Sequence, residues 1–176
     1  MGKTEGYGSI EPVEDRVDLS ASLQKRFKRI SASVNVRKPF ITQVETPVLP
    51  FVGLDVVLLE QPSQQLLLKV NTSKNFRAPT LNDRYWKDAG QKDLLPEISY
   101  AAETGLDWSI QEKHGITATF FYQDIEDWIQ WVPGINGVYR PQNIKEVRIN
   151  GVETNAETNF KVGLVSFRAK AGYQFT

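Results

Sequence analysis

The sequence predicts an all-β fold, an antiparallel up-and-down meander of about eight strands. Three observations carry this. Apolar residues recur at every second position through most of the chain. The connections between these alternating stretches are short and long in turn. No apolar run approaches the ~20 residues that a membrane-spanning helix needs.

The last segment alternates most clearly. Val165, Phe167, Ala169, Ala171, Tyr173 and Phe175 share one face, opposite Ser166, Arg168, Lys170, Gly172 and Gln174. A helix of these residues would scatter its apolar side chains all round and bury charge. The same reading recurs upstream. Leu19, Ala21 and Leu23 oppose Ser20, Ser22 and Gln24, and Ile30, Ala32, Val34 and Val36 oppose Ser31, Ser33, Asn35 and Arg37. Leu66, Leu68 and Val70 oppose Lys69 and Asn71. Tyr100, Ala102, Thr104, Leu106, Trp108 and Ile110 oppose Glu103, Gly105, Asp107 and Ser109. Val152, Thr154, Ala156 and Phe160 oppose Gly151, Glu153, Asn155, Glu157 and Asn159. The strands are expected to start near Val17, Ile30, Phe51, Gln64, Ile98, Ile116, Ile144 and Gly163.

Short turns are expected at Phe27 to Arg29, Gln61 to Ser63, Glu112 to Gly115 and Phe160 to Val162. Long connections are expected at Pro39 to Pro50, Phe76 to Glu97 and Val132 to Asn143. Strict alternation of the two suits a meander with tight turns at one end and large loops at the other, as membrane barrels have. A Greek-key sandwich mixes connection lengths less regularly.

Periodicity alone leaves two architectures open. A soluble barrel turns its apolar face into a dry core, whereas a membrane barrel turns it outward to lipid. The mean hydropathy of -0.37 suits both. Trp86, Trp128, Trp131, Tyr122 and Tyr139 fall near strand ends or in long loops. They serve equally as an interfacial girdle or as caps on a soluble core.

Composition excludes several chemistries. Lys+Arg and Asp+Glu are both 21, so no global charge favours nucleic acid. There is no cysteine, hence no disulfide, thiolate metal site or cysteine nucleophile. A single histidine, His114, precludes a multi-histidine metal site and has no nucleophile motif around it. Asp124, Glu126 and Asp127 form an acidic cluster of the type that serves glycosidases or calcium sites, though a solvated strand end explains it more simply. Lys25-Arg26-Phe27-Lys28-Arg29 is a basic run that could touch nucleic acid or anionic lipid, though a charged hairpin turn at the membrane surface explains it more simply. Gly2 to Gly8 lacks the Lys-Ser/Thr of a phosphate-binding loop, and Met1 to Ile10 is too polar for a signal peptide. No catalytic, cofactor-binding or metal-binding residue is assigned.

Four motifs carry a family resemblance. Asn75-Phe76-Arg77-Ala78-Pro79-Thr80-Leu81-Asn82-Asp83-Arg84-Tyr85-Trp86 is followed by Asp93-Leu94-Leu95-Pro96-Glu97 and Glu103-Thr104-Gly105-Leu106. Phe121-Tyr122 through Ile125, Asp127 and Ile129 comes next, then Asn143 leading to Gly151-Val152-Glu153. In this order and spacing they resemble TonB-dependent outer-membrane receptors. Gly90-Gln91-Lys92-Asp93 departs from the Gly-Asn-Pro that the family usually has before its Leu-x-Pro-Glu motif.

The resemblance implies a barrel of about 22 strands with a plugged lumen. It implies location in the bacterial outer membrane and uptake of a metal chelate such as cobalamin or a ferric siderophore, energised by TonB. The implied partners are TonB, the plug domain, outer-membrane lipid and the small chelate; no enzyme activity, cofactor or nucleic acid is implied. Residues 1–176 would be a partial barrel domain from the C-terminal half, without plug or remaining strands, and unable to transport or fold alone in water. Glu103, Glu153, Asp107 and Asn155 would face the lumen, and Trp131, Tyr139 and Arg140 would lie in a long loop; none is assigned to ligand. Two alternatives remain. A small soluble eight-stranded barrel would pair the strands of Val17 and Phe175, and a carbohydrate-active sandwich would depend on Asp127.

Overall fold

A computed structural model describes residues 5–7, 12–111 and 113–176. The reading of Met1 to Ile10, most of Gly2 to Gly8, and turn residue Glu112 therefore fall largely outside the described residues. Eight strands form one sheet: β1 (Arg16–Phe27), β2 (Ile30–Ile41), β3 (Leu49–Gln61), β4 (Gln64–Arg77), β5 (Glu97–Ile110), β6 (His114–Pro133), β7 (Tyr139–Val162) and β8 (Val165–Phe175). A one-turn helix, α1 (Leu81–Tyr85), interrupts the β4–β5 connection. Every strand pairs antiparallel with its neighbours in sequence, in the order β1 to β8.

Strand order rules out the small closed barrel. β1 and β8 lie at opposite edges of the sheet, and among the described residues no ladder joins them. Val17 pairs with Phe40 and Phe175 with Val152. The sheet is open.

The tight turns all lie at one end. Lys28-Arg29 joins β1 to β2, Pro62-Ser63 joins β3 to β4, and residues 111–113 join β5 to β6. The last turn is not at Phe160 to Val162. Those residues pair with Phe167 and Val165, and the chain reverses at Gly163-Leu164. Gly163 takes a φ of 61° there, which glycine adopts without steric cost.

The other end departs further from expectation. Residues 132–143 are mostly strand: β6 runs on to Pro133, β7 starts at Tyr139, and only residues 134–138 separate them. The alternation of short and long connections therefore fails here. The hairpin instead projects beyond its neighbours, since β5 leaves β6 at the Ile98–Glu126 pair and β8 leaves β7 at Phe175–Val152. Pro141, opposite Trp131, is tolerated because this part of β7 has a free edge on which a missing N–H breaks no ladder.

Side-chain exposure decides between the two architectures that periodicity left open. On β6, Ile116, Ala118, Phe120 and Tyr122 are exposed, while Gly115, Thr117, Thr119, Phe121 and Gln123 are less so. On β2, Ala32, Val34 and Val36 are exposed and Ser31, Ser33, Asn35 and Arg37 half-buried. On β2 and β6 the apolar face is thus the more open one and the polar face the more sheltered. Both faces of β1 and β8 are exposed, as are Glu153, Asn155 and Glu157 of β7. A soluble sheet does the reverse. Register joins the apolar positions into continuous rows. Leu54, Val70, Thr104, Phe120, Val152 and Phe175 stand side by side across six strands, as do Leu66, Trp108, Ile116, Ala156 and Ala171 across five. Phe120 is 47% exposed and Leu106 44%. From Tyr100 to Ile110 this face runs about 33 Å along β5, or about 25 Å in height at a tilt of about 40°, the height of a lipid-facing band.

The small buried core lies elsewhere. Ile41, Leu49, Ala89, Leu94, Ile125 and Ile129, with Pro39, Pro79 and Pro141, gather at the long-connection end.

Candidate functional site

The polar face carries the charged side chains expected in the lumen, and they pair across strands or, for Asn155 with Glu153, along β7. Lys69 Nζ lies 2.8 Å from Asp107 Oδ2. Asn71 donates to Glu103 at 3.1 Å, Asn155 donates to Glu153 at 2.8 Å, and Lys170 lies 3.2 Å from Glu157. These pairs are part-exposed, so each contributes under about 1 kcal/mol. They define a hydrated wall. Gly151 stands in this wall because a Cβ there would lie 2.2 Å from the Phe175 carbonyl oxygen and 2.6 Å from the Phe121 ring. The glycine lets β8 and the Phe121 ring close over it.

The motif residues assemble at the long-connection end. The guanidinium of Arg77, the last residue of β4, grips Glu97, the first of β5, with Nε 2.7 Å from Oε2 and Nη2 on Oε1. Glu97 Oε1 also accepts the Ile129 backbone N–H at 2.7 Å. That N–H belongs to β6 beyond the end of the β5 ladder, so the carboxylate stands in for a missing strand partner. Asn143 does the same for the β4–β5 connection. Its Oδ1 accepts the Leu95 N–H at 2.9 Å, and its Nδ2 donates to the Leu95 carbonyl at 2.9 Å and the Asp127 carbonyl at 2.7 Å.

α1 is held by its own start signal. Thr80 and Asp83 form a capping box: the Asp83 N–H donates to Thr80 Oγ1 at 3.1 Å, and Asp83 Oδ2 accepts the Thr80 N–H at 2.9 Å and hydroxyl at 2.7 Å. Asp83 Oδ1 accepts the Trp131 indole N–H at 2.8 Å, tying α1 to the β6–β7 hairpin. Burial pushes the Asp83 carboxyl up, but the Thr80 and Trp131 hydrogen bonds and the Arg77 charge hold it below the ordinary carboxylate value. Arg84 is buried and bonds Glu14 at 2.6 Å. Tyr7 donates its hydroxyl to Asn82, and the Lys87 N–H donates to the Gly6 carbonyl at 2.7 Å. Gly90 has no room for a side chain: a Cβ would lie 2.5 Å from the Trp86 nitrogen. The unusual Gly90-Gln91-Lys92-Asp93 sequence thus still makes a tight return, sealed by the Gln91 N–H on the Asp83 carbonyl at 2.8 Å.

Other singled-out residues fall as follows. Trp131 lies in β6 and Tyr139 and Arg140 begin β7, not in a long loop; Trp131 binds Asp83, and Tyr139 and Arg140 are exposed. Asp124 faces Arg148 at 3.5 Å instead of a second carboxylate. Among the described residues no group of three or more His, Asp or Glu could hold a metal. His114 begins β6 and its Nδ1 lies 2.7 Å from Thr158 Oγ1. Sequence reasoning missed the roles of Glu97 and Asn143 as stand-ins for strand partners, and the Arg84–Glu14 pair. The Thr80-Leu81-Asn82-Asp83 cap had a readable signal.

A two-faced antiparallel wall with its apolar side open and its polar side sheltered defines a membrane-type barrel wall. The comparisons with known proteins agree. Residues 9–176 match the family described as TonB dependent receptor-like, beta-barrel, and the chain belongs to it. This is a family of outer-membrane receptors, not an enzyme class. The chain is 34% identical over 114 residues to the vitamin B12 transporter BtuB of Vibrio vulnificus, a match covering 64% of this chain and 18% of that protein. It is 32% identical over 114 residues to BtuB of Photobacterium profundum, covering 58% and 17%. The matched part is thus under one fifth of those transporters' length. Among solved structures, the siderophore receptor PirA from Pseudomonas aeruginosa superposes with a TM-score of 0.70 at 16% identity, over 92% of this chain and 32% of that one. The RagAB peptide transporter does so with a TM-score of 0.72 at 16% identity, over 92% and 22%. At that identity the likeness concerns fold alone.

Proposed function

We propose that this chain is an arc of the barrel wall of an outer-membrane receptor that takes up a metal chelate, cobalamin or a ferric siderophore, by TonB-energised transport. The carrying observation is the exposed apolar face opposite a sheltered, ion-paired one. Family membership supports the TonB partnership. The names of the two curated relatives favour cobalamin.

In this reading further strands complete the barrel at the free edges of β1 and β8, since an unpaired edge in hydrocarbon leaves a row of backbone groups unsatisfied. A plug domain fills the lumen against the polar wall. The motif residues serve this function indirectly. Arg77, Glu97, Asn143 and Asp83 hold the β4–β5 connection and the β6–β7 hairpin as one rigid outer rim, and a rigid rim loses less entropy on engaging a ligand.

The test is uptake of labelled cobalamin and of a labelled ferric siderophore by cells carrying the full-length receptor, with and without TonB. TonB-dependent uptake of cobalamin supports the reading. Uptake of neither chelate, or uptake unaffected by loss of TonB, overturns it.

A further inference from the structure

The basic run at the β1–β2 turn is left unused by the uptake reading. Lys25, Arg26, Lys28 and Arg29 are all exposed, and among the described residues none forms an ion pair. Of the other tight turns at this end, Pro62-Ser63 and Gly163-Leu164 carry no charge and Gln111-Glu112-Lys113 carries one of each sign, so none concentrates cations. A general need for solvation therefore does not explain four cations at one turn.

Two structural details give the run a direction. Phe27 and Ile30 pair across the turn on the open apolar face and are 59% and 46% exposed. Lys25 lies on that same face, and its Nζ sits 4.7 Å from the Phe27 ring centroid. The side chain bends toward the turn, away from the band centre, as a lysine does when its stem lies in hydrocarbon and its charge seeks the headgroups. The second detail is backbone. Lys28 has a φ of 45°, a left-handed position that favours Gly or Asn in a two-residue turn. The β7–β8 turn places Gly163 at the corresponding position, with φ 61°. Gln111 takes a φ of 51° at the β5–β6 turn, so these turns accept side chains at the left-handed position.

We propose that the β1–β2 turn binds an anionic phospholipid headgroup of the leaflet facing the tight turns, with Phe27 and Ile30 against the upper acyl chains. The cations at Lys25 and Lys28 meet the phosphate, by the attraction that draws basic segments to anionic bilayers, while Arg26 pairs with Ser31 on the polar face and shares a groove there with Arg29. This rests on the reading of the chain as membrane barrel wall.

The test uses the full-length receptor carrying this chain, placed in phosphatidylcholine nanodiscs containing a minor fraction of phosphatidylglycerol. The lipids retained after mild detergent extraction are counted by native mass spectrometry. The unaltered receptor is expected to retain phosphatidylglycerol above its bulk fraction. Enrichment should fall about ten-fold in the variant K25Q/K28Q, stay near the unaltered value in R26Q, and be weakened by salt. Heat-modifiable gel mobility checks that the variant barrel is formed; if it is not, K28Q decides on the same readout with a fall of several-fold. Enrichment that is absent, or unchanged in the formed variant, overturns the proposal while leaving the membrane reading intact. An unaltered receptor that does not enter the bilayer overturns both.

Discussion

The Glu97 carboxylate accepts the backbone N–H of Ile129 at 2.7 Å, beyond the last ladder pair between their strands, Ile98 with Glu126. One oxygen thereby continues a sheet past its own end. The same carboxylate holds Arg77, so three strands meet at one side chain where the wall gives way to its outer rim. The motif residues build this joint. They place no nucleophile, base or metal ligand around a cavity.

Glu97→Ala should release the rim. Ile129 would lose its only acceptor at this edge and Arg77 its partner, at a local cost of about 2 kcal/mol. Hydrogen exchange at the Ile129 amide in the full-length receptor should quicken about thirty-fold, while amides of the band, such as Phe120, keep their protection.

Asp83 makes docking of α1 pH-dependent. Its folded value is depressed, so its stabilisation is present above the unfolded carboxylate value of about 3.9 and is lost as pH falls through the lower folded value. Trp131 fluorescence, which reports the indole hydrogen bond, should be flat from neutral pH down to about 4 and change below it. In Asp83→Asn the change should vanish, because the amide carries no titrating proton in this range.

Gly151→Ala should impair assembly more than Gly163→Ala. The first would place a methyl 2.2 Å from the Phe175 carbonyl oxygen, forcing β7 and β8 apart. The second meets nothing within 4 Å and costs only the left-handed φ, about 1 kcal/mol. The fraction of receptor with folded, heat-modifiable mobility checks the order.

Much of the wall was legible in the sequence. Alternation in Val165 to Phe175 and Tyr100 to Ile110 gave strands, faces and pairing order, because period two survives wherever a strand has two unlike environments. The direction of those faces was not legible, since lipid and a dry core select the same residues. The projecting hairpin was missed because Val132 to Asn143 reads as a long connection, and only the end of neighbouring strands leaves Pro141 harmless within β7. The rim was half legible. Its residues stood out as motifs, but side-chain bonds to distant backbone, such as Asn143 to Leu95, leave no periodic trace. Trp131 was visible as an aromatic at a strand end, and nothing nearby announced Asp83 as its partner.

The central claim is that the apolar face of this sheet meets lipid. It is tested most directly by spin labels on single cysteines at positions 115 to 122 of β6, in the full-length receptor in bilayers; this chain contributes no cysteine of its own. Labels at Ile116, Ala118, Phe120 and Tyr122 should be relaxed by oxygen dissolved in the hydrocarbon and untouched by a water-soluble nickel chelate. Labels at Gly115, Thr117, Thr119 and Phe121 should be shielded from oxygen. The reverse alternation, or equal relaxation by the chelate at both sets, would contradict the account.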